Sequence, residues 1–334
     1  NLLSVTRSVA VLCGHQTKSD NHKNMNIASL NTMTADQLNQ DFAFEDGSHQ
    51  LHFKTGEGDI PIIEIQNKQA RATISLQGAH LLSWVPTGKD EVIWVSDDAT
   101  FASGKSVRGG IPICWPWFGP HEKNTSYPAH GFARTVLWRV TNAQPLATGE
   151  TQITFELATN QLVESLQQMW PQSTLAEYCL TIGKTLTLEL TTFNHSEQSM
   201  TIGQALHTYF DVGDVSNTTV IGLEDKDYLD KTDGFKRKTQ SGSVVINTET
   251  ARVYLQTADD VIIDNTKRKI IVKKKGSHST VVWNPWKIVA AKMGDLGEDG
   301  YLNMMCVESA NAAEDVVTIQ PGENHTLHVS YEVE

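Results

Sequence analysis

The run Thr185-Leu186-Thr187-Leu188-Glu189-Leu190-Thr191 alternates polar and apolar side chains without a break. Successive side chains of a strand point to opposite faces, whereas a helix returns to a face only every ~3.6 residues, so this alternation marks a half-buried strand. Shorter β-rich runs recur along the chain, among them Ile62-Ile63-Glu64-Ile65, Ala72-Thr73-Ile74-Ser75-Leu76, Val92-Ile93-Trp94-Val95 and Thr135-Val136-Leu137-Trp138. Others lie at 243–246, 252–255, 261–263, 269–272, 280–283, 304–307, 316–319 and 327–331. Only residues 160–170, closed by Pro171, read convincingly as a helix in this part of the chain. Many short strands with almost no helices cannot build alternating strand–helix units. They predict an all-β fold, a large antiparallel β-sandwich or barrel.

No repeat of fixed period and no linker-like stretch divides residues 46–334, which are expected to form a single β domain. Residues 14–41 carry few large apolar side chains, so 1–45 are expected to be a mobile tail. Within it, 34–42 suits a short helix, with Thr34 as cap and Asp36 in the first turn. The run 267–275, with its lysines, reads as a solvated strand edge.

The formal net charge is −12, which disfavours nucleic acid and anionic membranes as partners and requires any anion site to be locally basic. Cys13, Cys114, Cys179 and Cys306 form no CxxC pair, so buried thiols in a reducing, cytoplasmic setting are expected. No run approaches the ~18 apolar residues of a spanning helix. The apolar stretch 9–13 is shorter than the ~7–15 residues of a signal-peptide core, so no secretion signal is read. There is no phosphate loop, nucleophile elbow or dinucleotide fingerprint, and no cofactor is expected. His49/His52 and His325/His328 lack acidic or cysteine partners in a ligand pattern, so no metal is assigned.

Residues 107–120, Val-Arg-Gly-Gly-Ile-Pro-Ile-Cys-Trp-Pro-Trp-Phe-Gly-Pro, must form a loop of specified shape, since proline fixes φ and glycine frees it. Arg108 offers a planar fork for a carboxylate or phosphate. Trp115 offers a flat apolar face of the kind that stacks on a sugar ring, and Trp283 in the turn 282–286 offers another. Core packing is the alternative for both tryptophans. Read as a strand, 200–210 puts Met200, Ile202, Leu206 and Phe210 on one face, with Gln204 as the exception, and Thr201, Gly203, Ala205, His207 and Tyr209 on the other. Small neighbours leave space above His207, which is either a proton donor and acceptor or a satisfied histidine on a half-wet face. Glu308 ends an apolar run and is either at the rim of the core or desolvated into a stronger base. His130 and Arg134 follow a proline turn, and Arg108 and Arg134 can converge on one anion.

These segments together resemble the hexose-6-phosphate mutarotases, a branch of the aldose 1-epimerase family, over roughly residues 60–333. The motifs are 77–84 (Gln-Gly-Ala-His-Leu-Leu-Ser-Trp), the Arg108 loop, 130–134 (His-Gly-Phe-Ala-Arg), 206–210 (Leu-His-Thr-Tyr-Phe), 283–286 (Trp-Asn-Pro-Trp) and 306–308 (Cys-Val-Glu). The resemblance implies a galactose-mutarotase-like supersandwich, with His207 as general acid and Glu308 as general base. It implies phosphate and substrate contacts at Arg108 and Arg134, and support from His130. The implied substrate is a hexose 6-phosphate, glucose 6-phosphate foremost, handled without cofactor by a monomer or weak homodimer. In relatives an aspartate that touches sugar hydroxyls stands where this chain has Ala251, so hydroxyl recognition is expected to differ, with Glu249 or Asp259 as substitutes. Three other readings remain: a non-catalytic carbohydrate-binding sandwich, an epimerase of unphosphorylated aldoses, and a metal-dependent sugar isomerase.

Overall fold

Every ladder between strands is antiparallel, as the alternating runs require of a sheet with one face in the core. The structure is a computed structural model, described for residues 34–334; the expectations for 1–33, Cys13 among them, lie outside the described residues. A nine-stranded sheet runs from Val244–Val245 through Lys269–Lys275, Asn324–Val333 and Leu186–Asn194 to Arg139–Pro145. An eight-stranded sheet contains Asp227–Asp230, Thr250–Leu255, Ser279–Asn284, Met304–Asn311, Gln204–Leu206 and Ile113–Cys114, with Tyr209–Asp211 also paired to Met304–Asn311. A five-stranded sheet is built from the first strands, Phe44–Glu45 to His80–Pro86.

One apolar core joins the three sheets. Leu186, Leu188 and Leu190 enter it from the nine-stranded sheet, Leu206, Val282 and Val307 from the eight-stranded sheet, and Ile63, Ile65 and Trp84 from the five-stranded sheet. Phe210 and Tyr331 meet edge to face between the two larger sheets, ring centroids 5.1 Å apart. The strand Leu186–Asn194 buries every second residue completely, as its alternation predicts.

Five local expectations differ from the structure. The helix at 34–42 is present as Ala35–Phe42 with Thr34 as its cap, but it is not part of a loose tail. Leu38 is buried in the core, and Phe44–Glu45 pairs with His49–Thr55. The folded unit therefore begins before residue 46. Lys269–Lys275 is an interior strand of the nine-stranded sheet rather than a solvated edge, because Ile270 and Val272 are buried while Lys269, Lys273 and Lys274 find acceptors alongside. The runs 92–95 and 135–138 form only isolated bridges and a short 3-10 turn. Two helices went unread, Trp286–Met293 and Gly300–Asn303. The first is signalled by Pro285 before it and by Gly294, in the left-handed region, after it. The expected helix at 160–170 is a 3-10 turn, Thr159–Gln161, followed by Glu164–Met169.

Candidate active site

Alternation along Met304–Asn311 divides its side chains between two faces. Met305 and Val307 go into the core between the sheets; Met304, Cys306, Glu308 and Ala310 go to the opposite face. Glu308 is thus in the interior of a strand whose eight residues are all buried, not at its end. On the neighbouring strands, Ala205 and Tyr209 share that outer face while Leu206 and Phe210 stay in the core, as the period-2 reading requires. Cys114, Ala205 and Ala310 make a floor of small side chains beside Trp283. Gln204, the polar exception, donates to Asn311 Oδ1.

His207 stands on this face in the short gap between Gln204–Leu206 and Tyr209–Asp211. Its Nε2 is 3.4 Å from Glu308 Oε1, with Glu308 only 1% exposed. That separation is longer than a good charge-assisted hydrogen bond. Glu308 Oε2 and His207 Nδ1 have no protein partner. Rings fix the imidazole: Tyr209 stacks on it at 5.0 Å and 13°, and Trp283 meets it edge-on at 5.8 Å. Trp94 stacks in turn on Tyr209 at 6.0 Å. Burial, opposed by Arg134 and Lys231, holds the Glu308 carboxyl well above the usual carboxylate range. Burial, reinforced by His130, Arg134 and Arg108, holds the His207 imidazole well below its ordinary value. Each group is pushed toward its neutral form, which for the pair is the one-proton state with the proton on the carboxyl.

His130 lies beside them, its ring 5.9 Å from that of His207. Its φ is +68° and the next residue is Gly131, where a Cβ would come within 2.0 Å of the Trp115 carbonyl oxygen, so only glycine fits this turn. His130 Nδ1 accepts from the Gly119 N–H at 3.3 Å, which leaves Nε2–H as a donor. Burial, then Arg134 and Lys231, lower its pKa to about 3.

The two arginines differ. Arg108 is committed: Nε and Nη2 donate to the two carboxylate oxygens of Asp295 at 3.0 and 3.3 Å, and Nη1 donates to Tyr209 OH at 3.1 Å. It braces the ring that braces His207. The sequence around Asp295 carries no signal for this, since the two residues are 187 positions apart. Arg134 donates to the Ala129 carbonyl at 3.0 Å and forms no ion pair among the described residues. Gln77 and His80 of the 77–84 motif act on the loop that carries Arg108. Gln77 ties down the carbonyls of Ala102 and Lys105, and His80 Nε2 lies 2.8 Å from the Gly109 carbonyl oxygen.

Trp115 is corrected from a sugar-stacking face to a core residue. It is fully buried, its ring packs against Phe132 and Trp170, and its indole N–H donates to Thr192 Oγ1 at 3.0 Å. Trp283 is partly exposed over His207 and Tyr209, where a ring can reach it. Of the suggested substitutes at Ala251, Asp259 is occupied by Lys226 at 3.5 Å and Glu249 is exposed beyond the strand. His207, Cys306 and Glu308 each place one ligand atom within 4.8 Å of the others. A cation there would need the Cys306 thiol ionised, which burial opposes, and would face Arg134 and Lys231. A separate cleft of about 700 Å³ is lined by Glu91, Asp97, Asp98, Asp211, Glu298 and Asp299, the wrong sign for a sugar phosphate.

A buried imidazole–carboxyl pair on a small-residue floor, ringed by aromatic faces on an antiparallel sandwich, is an arrangement able to move protons at a bound ring. Residues 61–332 match the family model described as aldose 1-epimerase, and the chain belongs to that family. A protein of Escherichia coli (strain K12) described as a candidate glucose-6-phosphate 1-epimerase is 39% identical over 77% of this chain and 85% of its own length. A relative from Cenchrus ciliaris with the same description is 36% identical over 81% of this chain and 83% of its own. The solved structure of a candidate mutarotase from Salmonella typhimurium is 32% identical with a TM-score of 0.78, over 87% of this chain and 96% of that one. A galactose mutarotase-like protein from Lactobacillus casei, 17% identical with a TM-score of 0.63 over 82% of this chain and all of its own, shares the fold. The chain is an isomerase whose reaction is the interconversion of sugar anomers. Among the described residues no helix is long and apolar enough to cross a membrane.

Proposed function

We propose that the protein interconverts the α and β anomers of hexose 6-phosphates, glucose 6-phosphate foremost, with Glu308 as base and His207 as acid. The observation that carries this reading is the 3.4 Å pairing of His207 with a buried Glu308 whose second oxygen has no protein partner. The anomeric hydroxyl and the ring oxygen share one carbon, so the groups serving them must lie this close together. Burial leaves the shared proton on Glu308 in the free site; once it has crossed to His207, Glu308 removes the proton of the anomeric hydroxyl while His207 protonates the ring oxygen. The C1–O5 bond breaks and the aldehyde forms. Rotation about C1–C2 exposes its other face, and the same two transfers run backward to close the ring. Each transfer contributes ~10²–10⁴-fold.

Phosphate as the distinguishing group is supported by Arg134, a cation without an acidic partner beside the pair, and by the substrate named in the description of the relatives. The engagement of Arg108 by Asp295 favours a second reading, an epimerase of unphosphorylated aldoses, because it removes one of the two expected phosphate forks. We place the protein in the cytoplasm as a monomer or weak homodimer. Buried thiols at Cys114, Cys179 and Cys306 support the setting, and a site assembled within one chain supports the stoichiometry.

Exchange NMR of glucose 6-phosphate against free glucose tests this. The unaltered protein should accelerate the phosphorylated sugar preferentially, and Glu308→Gln should fall to the spontaneous rate with its circular dichroism unchanged. Full exchange by that variant would overturn the catalytic assignment; equal acceleration of both sugars would move the protein to the second reading.

A further inference from the structure

The pocket face of the eight-stranded sheet ends in a cation that the reaction above does not employ. Residues paired across antiparallel strands point to one face. Tyr209 pairs with Cys306, Cys306 with Trp283, and Trp283 with Ala251, so these four form a single row across the floor of the site. The next strand pairs Asp230 with Arg252, the neighbour of Ala251, and Lys231 follows it at the end of that ladder. The short 3-10 turn Lys231–Asp233 packs against Thr250–Leu255 there.

The hairpin around this turn carries several charges, and all its other cations are paired. Lys236 holds Asp233, Lys238 holds Asp230 and Asp233, and Arg237 holds Asp227 and Glu314. Lys231 is exposed and forms no ion pair among the described residues. Its charge is felt at both Glu308 and His130, the same two groups that feel Arg134. The site therefore lies between two cations without counter-charges, in a chain whose net charge is −12.

We propose that Lys231 is a specificity-determining residue that binds the substrate phosphate together with Arg134, and that Ala251 permits this by adding no acidic partner to a lysine whose neighbours Asp230 and Asp233 are already held by Lys238 and Lys236. The inference rests on the hexose-phosphate reading and deepens it. A phosphate monoester carries about −1.5 to −2 charges near neutral pH, which two cations match. It hangs from C6, outside the ring, so a flexible ammonium at the mouth can hold it while the pyranose sits against His207 and Glu308. An aspartate at 251 would lie on the strand that the turn of Lys231 packs against and take up its charge.

The test is the ratio of kcat/KM for glucose 6-phosphate to that for glucose. Lys231→Met should lower the ratio about tenfold or more, through KM rather than kcat, since a hydrogen bond to a charged group contributes ~1.5–3 kcal/mol. Ala251→Asp should also lower it, and by less when Lys231 is already methionine. Lys236→Met, on the same hairpin but paired with Asp233, should leave the ratio unchanged. If Lys231→Met keeps the ratio while Arg134→Met lowers it, the role of Lys231 is overturned and the phosphate reading stands. If the unaltered protein shows no preference for the phosphorylated sugar, that reading falls and takes this inference with it.

Discussion

At the scale of single residues, the proposed catalysis depends on two groups whose surroundings push their proton affinities in opposite directions. Burial raises Glu308 and lowers His207. The competent pair carries one proton. As pH falls, activity is lost when the pair takes up a second proton, and the lowered imidazole puts that limb below the usual histidine range near pH ~6.5. As pH rises, activity is lost when the last proton leaves, and the raised carboxyl puts that limb well above the usual carboxylate range. The expected kcat/KM profile, corrected for spontaneous exchange, is a broad bell; an acid limb at or above pH ~6.5 would contradict the environment described for His207. His207 was legible in the sequence because small side chains surround it on one face of an alternating run. Asp295 was not, because its partnership with Arg108 spans 187 positions and has no local pattern. The sequence leaves Trp115 open between a sugar face and the core because a tryptophan in a rigid loop looks the same in either place, and the structure puts it in the core.

At the scale of elements, alternation identified faces reliably and charge misled. Leu186–Asn194 buries the residues its pattern nominates. Lys269–Lys275 looks like a solvated edge because of its lysines, yet it is paired on both sides and Lys273 reaches Glu332 on the adjacent strand. The helix Ala35–Phe42 carries the opposite lesson. Its capping box of Thr34 and Gln37 was half visible in the sequence, but its docking was not, because only one side chain, Leu38, is fully buried. Leu38→Ala should therefore destabilise the whole domain by about 2–5 kcal/mol in denaturant titration. A change within a few tenths of a kcal/mol would place the helix outside the cooperative unit.

At the scale of the whole molecule, the two large sheets are stitched by a buried amine. Lys274 of the nine-stranded sheet donates to Ser279 O at 2.6 Å, Thr280 Oγ1 at 2.8 Å and Thr257 Oγ1 at 3.1 Å, without a carboxylate in contact. Burial lowers its pKa from 10.5 to about 7. A depressed folded value means that its contribution to stability is fully present above the unfolded value and is lost as pH falls through the folded one. Between pH 10.5 and about 7 the protein should lose stability relative to Lys274→Met, by roughly 1.4 kcal/mol per unit at most, and no further below. Thermal midpoints of both proteins across that window check it; a constant difference would mean the amine is solvated. The sequence alone determined the all-β class, the face each strand buries and the residue types able to move a proton, because these follow from a two-residue period and from local composition. Tertiary structure alone decided that Arg108 braces Tyr209, that Trp115 lies in the core, and that the turn opened by Lys231 packs against the strand carrying Ala251. Such neighbours are set by strand register between distant segments, and a period read along one strand says which way a side chain points but not what it will meet.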